Sequence, residues 1–151
     1  ITMDDVNPDF VVVGEARSYN LDALVHAVNL VQGGAKLIGT NPDVNGPVEK
    51  GIMPATGALI SPIELATNKK AYFVGKPNPL MMRHALKKLG TRREDTVIVG
   101  DRMDTDIIAG IEAEIDTVLV LSGATKRDEV QAYAYAPDII LEGVGEIVPA
   151  S

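Results

Sequence analysis

The stretch Thr96-Val97-Ile98-Val99-Gly100-Asp101-Arg102-Met103-Asp104-Thr105-Asp106-Ile107-Ile108-Ala109-Gly110 constrains the fold more than any other part of the chain. A run of β-favouring residues ends at a glycine, and an acidic cluster then opens an amphipathic segment. This order reads as a buried parallel strand, a tight turn and a helix start. Asp101 falls at the carboxyl end of that strand, where open α/β sheets place their ligands. Asp106 falls in the first helical turn, with Asp104 or Thr105 placed to cap it. Carboxylates crowded at one sheet edge repel unless a cation or hydrogen bonds hold them. Hard oxygen donors suit Mg²⁺, which takes few protein carboxylates and keeps several waters. A helix N-terminus decorated with acids that favour its dipole gives the same pattern without any ligand.

The rest of the chain alternates strand and helix signals. Phe10 to Val13 reads as a strand, and Asn20 caps a helix with apolar positions at Leu21, Leu24, Val25, Val28 and Val31. Gly33-Gly34 stops it. Lys36 to Thr40 is a second strand, followed by an irregular stretch from Asn41 to Ala55 that carries Pro42, Pro47 and Pro54. Thr56 to Thr67 is helical in pattern, although Pro62 demands a first-turn position or a break. Ala71 to Val74 is a third strand running into Gly75-Lys76-Pro77. Asn78 and Pro79 open a further helix that Gly90 closes. Thr117 to Leu121 and Asp138 to Leu141 are strands, Thr125 to Asp128 has the form of a capping box with Asp in place of Glu, and a weak helix ends the chain. Repeated βα units of this length predict an α/β fold built on a parallel sheet covered by helices.

Composition narrows the functional classes. The chain has 151 residues, 46% of them hydrophobic, which is enough for one full core or two small lobes. No run approaches the roughly 20 apolar residues of a membrane span, so no membrane partner is expected. The formal net charge of −7 disfavours a non-specific nucleic-acid surface. The basic cluster Lys87, Lys88, Arg92 and Arg93 reads as a solvated helix face and loop. Zero cysteines exclude disulfides and thiolate metal sites and are compatible with a reducing cytoplasm, the expected location.

Two motifs combine. Gly75-Lys76-Pro77 follows one strand and Gly100-Asp101 follows the next in sequence. If those strands are neighbours, Lys76 and Asp101 share a sheet edge. An ammonium beside carboxylates, with helix N-termini facing the same crevice, suits a phosphate and a divalent cation. A lysine after a strand is otherwise simply exposed.

The segments Val74 to Pro79 (Val-Gly-Lys-Pro-Asn-Pro) and Val99 to Ile107 (Val-Gly-Asp-Arg-Met-Asp-Thr-Asp-Ile) resemble the third and fourth motifs of haloacid-dehalogenase (HAD) phosphatases, in the NagD, nitrophenylphosphatase-like branch. Asp5 to Glu15 and Thr40-Asn41-Pro42-Asp43 resemble that branch's cap domain, and Pro54 to Leu59 its return from cap to core. The resemblance covers essentially the whole chain, with segments in family order. It implies a Rossmann-like parallel sheet, an incomplete HAD core, with part of an α/β cap. Residues 1–68 would be partial cap and return, and residues 69–151 the C-terminal half of the core.

The resemblance also implies roles. Asp101 matches the acid that ligates Mg²⁺, and Asp106 the second acid of that motif, which supports the metal shell or the lysine. Lys76 matches the catalytic lysine that orients the nucleophile and offsets phosphoryl charge. Asn41 and Asp43, on the cap loop, are candidate substrate-binding residues, with loop solvation as the plainer reading of Asp43. The implied reaction is Mg²⁺-dependent hydrolysis of a small phosphorylated metabolite, in which an aspartate attacks the ester to give an aspartyl-phosphate.

The chain departs from this pattern at the nucleophile. The family carries it in an Asp-x-Asp motif after its first hydrophobic strand. Here Asp-x-Asp occurs only as Asp104-Thr105-Asp106, inside the metal motif. Leu37-Ile38-Gly39-Thr40 mimics the family's second motif, yet its continuation fits the cap loop better. The chain therefore reads as the C-terminal part of a longer protein, short of roughly a hundred residues by domain size, inactive alone and prone to self-association. Glu114 stands where the family favours glycine in a left-handed conformation. The alternative reading is a non-catalytic metal- and phosphate-binding fragment, or a half-protein completed by another chain. A receiver domain is disfavoured because Lys76 precedes Asp101, and a dinucleotide fold because Gly-x-Gly-x-x-Gly is absent.

Overall fold

The computed structural model describes residues 2–148 and divides the chain into two compact units, Ile1–Gly75 and Lys76–Ser151. Both are α/β.

The first unit is built on a parallel three-stranded sheet, order β1-β2-β5, from β1 (Phe10–Val13), β2 (Lys36–Gly39) and β5 (Tyr72–Phe73). Val11 pairs with Leu37, and Gly39 with Phe73. Helix α1 (Leu21–Gln32) starts at Asn20, whose side chain accepts the Ala23 N–H at 2.9 Å. Gly33 caps its end, and Gly34 follows at φ 119°, a turn that suits glycine. The stretch read as irregular contains an antiparallel hairpin, β3 (Asn45–Pro47) with β4 (Ile52–Pro54). Its prolines close the sequence pattern to a strand reading, but a two-stranded hairpin leaves edges where a missing N–H is tolerated.

Helix α2 (Thr56–Thr67) runs through Pro62 without a break. Proline removes the N–H that would reach the Ala58 carbonyl, and the Ser61 hydroxyl donates to that carbonyl instead, at 2.8 Å. Packing supplies the rest. Ile60 and Ile63 are fully buried with Val31 and Leu37, against Val11, Val13 and Phe73. Each buried isoleucine contributes about 1.5–3 kcal/mol.

The second unit carries a parallel sheet of order β6-β7-β8, from β6 (Val97–Gly100), β7 (Asp116–Val120) and β8 (Ile139–Leu141). β7 is central, and Thr117 to Val120 are all buried, as a strand covered on both faces requires. β6 is an edge strand. Its Ile98 packs with Met82, Leu86 and Ala109, while Val97 and Val99 on the other face remain exposed. Helix α3 (Pro79–Leu89) has Asn78 as its cap, accepting the Leu80 N–H at 2.9 Å, and ends at Gly90, φ 70°. Helix α4 (Ile108–Glu112) follows a π-helical turn over Met103–Ile107.

Three local expectations are corrected. Asp104 and Thr105 cap nothing: Arg102 precedes the π turn without a side-chain cap, Asp104 pairs with the Arg102 guanidinium at 3.0 and 2.6 Å, and Thr105 is buried. Thr125 opens no helix, because its hydroxyl turns inward to accept the Met103 N–H at 3.3 Å. The Glu129 side chain accepts the Lys126 N–H at 2.8 Å instead, and a single 3₁₀ turn follows at Val130–Ala132. The terminal helix is one 3₁₀ turn, Val144–Glu146.

The strands before Lys76 and before Asp101 belong to the sheets of the first and second unit respectively. β5 is paired with β2 and β6 with β7. The Lys76 side chain pairs with Asp106 of the acidic turn, both within the second unit.

Candidate active site

Gly100 ends β6 and the chain turns sharply at Asp101. The Asp106 side chain folds back over this turn and lies only 6% exposed. A Cβ on Gly100 would overlap the Asp106 carboxylate, so glycine is what allows this return. One Asp106 oxygen, Oδ2, accepts the backbone N–H groups of Asp101 at 3.2 Å and Arg102 at 3.1 Å. The other, Oδ1, pairs with the Lys76 ammonium. Both oxygens of Asp106 are thereby engaged within the protein, and the lysine is fixed beside the strand-end turn with its side chain 39% exposed. Charge-assisted bonds of this kind are stronger than neutral ones.

Asp101 is held from a different side. Its Oδ2 accepts the Ala124 N–H at 2.7 Å, and its carbonyl accepts the Thr125 N–H at 3.0 Å. Its Oδ1 has no hydrogen bond to a described residue. The turn is supported from beneath by Met103, fully buried with Ile107 and Leu119, and the Tyr135 hydroxyl donates to the Met103 carbonyl at 3.1 Å. Burial, with smaller contributions from Tyr133 and Asp104, pushes the Tyr135 phenol up from its ordinary range. It stays a neutral donor.

The donor chemistry at Asp101 fits a hard cation: a carboxylate oxygen turned away from its protein partners, with no competing thiolate or imidazole. Among the described residues no group of three or more His, Asp or Glu side chains converges to hold an ion. A hard cation there would take one protein oxygen, that of Asp101, and complete its shell with water or other groups, a pattern that suits Mg²⁺.

The first unit presents a second cluster, at the carboxyl end of β2. The Asn41 side chain donates to Glu15 at 3.3 Å and accepts the Asp43 N–H at 3.2 Å. The Asp43 carbonyl accepts the Gly57 N–H at 2.8 Å, and the Thr40 and Thr56 hydroxyls meet at 3.0 Å. Asn41 and Asp43 therefore share one braced loop, whereas Lys76 joins the Asp101–Asp106 turn of the second unit through its ion pair with Asp106. Sequence reasoning missed Glu15 and the Gly123-Ala124-Thr125 loop. The signal for the latter was present: a glycine at or just past the end of a strand, as at Gly100 and Gly75.

The HAD-hyrolase-like family model (Hydrolase_like) matches residues 73–147. The ribonucleotide monophosphatase NagD of Escherichia coli K12 is 47% identical over 146 residues, covering 97% of this chain and 57% of that protein. A dihydroxyacetone phosphatase of Corynebacterium glutamicum is 47% identical over 145 residues, covering 96% and 53%. The crystal structure of 4-nitrophenylphosphatase from Thermotoga maritima superposes with a TM-score of 0.91 at 36% identity, covering 96% of this chain and 56% of that one. NagD from E. coli K-12 superposes at 0.89, covering 97% and 58%. The chain spans about half the length of the relatives it matches. With its strand-glycine-aspartate turn, its lysine held on the second acid and these likenesses over nearly its whole length, the chain belongs to the HAD superfamily, in the NagD, nitrophenylphosphatase-like branch.

Proposed function

We propose that this chain is part of a Mg²⁺-dependent phosphatase that hydrolyses small phosphate monoesters through an aspartyl-phosphate. One observation carries the reading: the Lys76 ammonium is held on Asp106 beside the turn from which Asp101 presents a carboxylate oxygen. Residues 1–68 act as part of the cap with its return, and residues 69–151 as the second half of the core. Asp101 holds the ion; Asp106, the second acid of the metal motif, supports that shell by fixing the turn and holds Lys76. Bound Mg²⁺ supplies Lewis-acid stabilisation of phosphoryl charge.

Lys76 contributes fixed positive charge where the transferring group becomes most negative. Holding it by an ion pair removes rotamer freedom that would otherwise be lost during reaction. Asn41 and Asp43, on a loop braced by Glu15 and Gly57, select the alcohol part of the substrate. The relatives support a small phosphorylated metabolite: they are named as a dihydroxyacetone phosphatase, a ribonucleotide monophosphatase and acid sugar phosphatases. The acidic balance argues against nucleic acid as substrate. Among the described residues no helix is long and apolar enough to cross a membrane. The absence of cysteine agrees with action in the cytoplasm.

The chain by itself is inactive in this reading, because its one Asp-x-Asp, Asp104-Thr105-Asp106, lies inside the metal motif and Asp101 is committed to the ion. The test is hydrolysis of a generic aryl phosphate with Mg²⁺ by this chain, by a version extended to the length of its relatives, and by the extended Lys76→Ala variant. Turnover is expected only from the extended protein and is lost with Lys76→Ala. Turnover by the 151-residue chain that disappears in Asp43→Asn but survives Asp101→Asn would place the chemistry on the Thr40–Asp43 loop and overturn the assignment. Binding of Mg²⁺ and phosphate without turnover from any version favours the binding-module reading.

A further inference from the structure

We infer that Gly123, Ala124 and Thr125 form a positioning loop for Asp101, locking its carboxylate so that a single oxygen is offered to a cation. The inference rests on Asp101 being the cation-facing acid. Three contacts from this loop converge on one residue and its turn. Ala124 donates its N–H to Asp101 Oδ2 at 2.7 Å. Thr125 donates its N–H to the Asp101 carbonyl at 3.0 Å, while its buried hydroxyl accepts the Met103 N–H at 3.3 Å. Gly123 makes the approach possible: a Cβ there would overlap Asp101 Oδ2 and stand 2.5 Å from both its Cβ and its Cγ. The obstacle to any other residue is space alone, because the Gly123 backbone lies outside the left-handed region.

The chemical consequence is a division of labour between the two oxygens. A carboxylate free to rotate can bind a cation with either oxygen or with both. Here Oδ2 is occupied by the Ala124 N–H at 2.7 Å, a bond that rotation of the group would break. Oδ1 is left as the ligand, and the N–H bond at Oδ2 fixes its direction. Outer partners of this kind set ligand orientation, and their loss typically weakens metal affinity by about 10–100-fold. Asp106 fixes the same turn from the other side through the Asp101 and Arg102 N–H groups. The strand-end loop of β7 therefore acts on the acid that ends β6, and strand pairing between Gly100 and Leu119 sets the two loops side by side.

The experiment is a Mn²⁺ titration of the isotopically labelled 151-residue chain, following paramagnetic broadening of backbone amide signals, together with amide exchange at Ala124. In the unaltered chain, broadening is expected to centre on residues 100–106 and 123–125, and Asp101→Ala abolishes it. Broadening that is absent, or unchanged in Asp101→Ala, removes the cation reading on which the inference stands. Given binding at Asp101, Gly123→Ala and Thr125→Val are expected to weaken Mn²⁺ by about tenfold or more, and Thr125→Ser to retain most of the affinity. Gly123→Ala and Thr125→Val chains that bind as the unaltered chain does overturn the positioning role while leaving the cation site intact. Should either variant fail to fold, the exchange measurement decides: Ala124 is solvent-exposed, so its amide is protected only if the Asp101 bond holds it. Protection that vanishes in Asp101→Ala supports the loop, and an unprotected Ala124 amide in the unaltered chain refutes it.

Discussion

Asp106 ties Lys76 to the strand-end turn, one carboxylate oxygen pairing with the ammonium while the other accepts the N–H groups of Asp101 and Arg102. A single side chain therefore sets both the charge that faces a phosphate and the backbone that presents Asp101. Its near-complete burial makes the arrangement sensitive to substitution, because removing the carboxylate takes away the acceptor of both N–H groups.

Asp106→Ala is expected to destabilise the second unit by about 1–3 kcal/mol, chiefly through the two donors left unsatisfied. The lysine side chain is partly exposed, so solvent screens the ion pair and its share is the smaller one. Urea unfolding followed by circular dichroism measures the change. An unshifted midpoint would show that water replaces the carboxylate at no cost.

Glu114 adopts φ 55°, the left-handed conformation that favours glycine. Its side chain pairs with Arg93 at the surface, where both partners are more than half exposed. Left-handed strain in a non-glycine residue costs about 1 kcal/mol, and an exposed pair returns about 0.2–1 kcal/mol. Glu114→Gly is thus expected to stabilise the chain slightly, by about 0.5 kcal/mol on these figures. Glu114→Gln separates the two effects, since it keeps the strain and loses the charge. A glycine variant less stable than the glutamine variant would contradict the strain argument.

Asp138 accepts hydrogen bonds from the Thr117 hydroxyl and the Thr117 N–H, both at 2.8 Å, and these hold its carboxyl below the usual carboxylate range. A depressed folded-state value means that the stabilisation is present above the unfolded value, roughly pH 3.9. It is lost as pH falls through the folded value. Asp138→Asn should remove this acid-dependent part of the unfolding curve below about pH 4 and leave the slope near neutrality unchanged. An acid limb identical in the two chains would assign the dependence to other carboxylates.

Val97 and Val99 are 50% and 38% exposed on the edge strand of the second sheet. Open apolar edges promote pairing with other chains. The chain is expected to self-associate with rising concentration in sedimentation velocity, and Val97→Lys with Val99→Lys should shift it towards monomer. Equal association of the double variant would move the contact elsewhere.

Features satisfied within a few residues were legible in the sequence. Asn20 and Asn78 cap helices, and Gly34 and Gly90 turn with positive φ, because caps and turns close over one helical turn. The parallel α/β architecture was legible for a related reason, since alternating βα units leave few other ways to bury both faces of a sheet. Tertiary structure decided the rest. The pairings of Lys76 with Asp106, Met103 with Thr125 and Ala124 with Asp101 join residues 30, 22 and 23 positions apart. No local pattern marks which of several acids or hydroxyls will be recruited at that distance. Thr125 looked like a cap because a threonine before charged residues usually is one, and burial beside Met103 redirected its hydroxyl. Asp104 or Thr105 read as the cap, whereas the role of Asp106 beside the lysine came only from the family resemblance; the space above Gly100 admits Asp106 and leaves Asp104 to Arg102. The residue types of the site are local information; which oxygen faces which partner is settled only when strands distant in sequence are packed side by side.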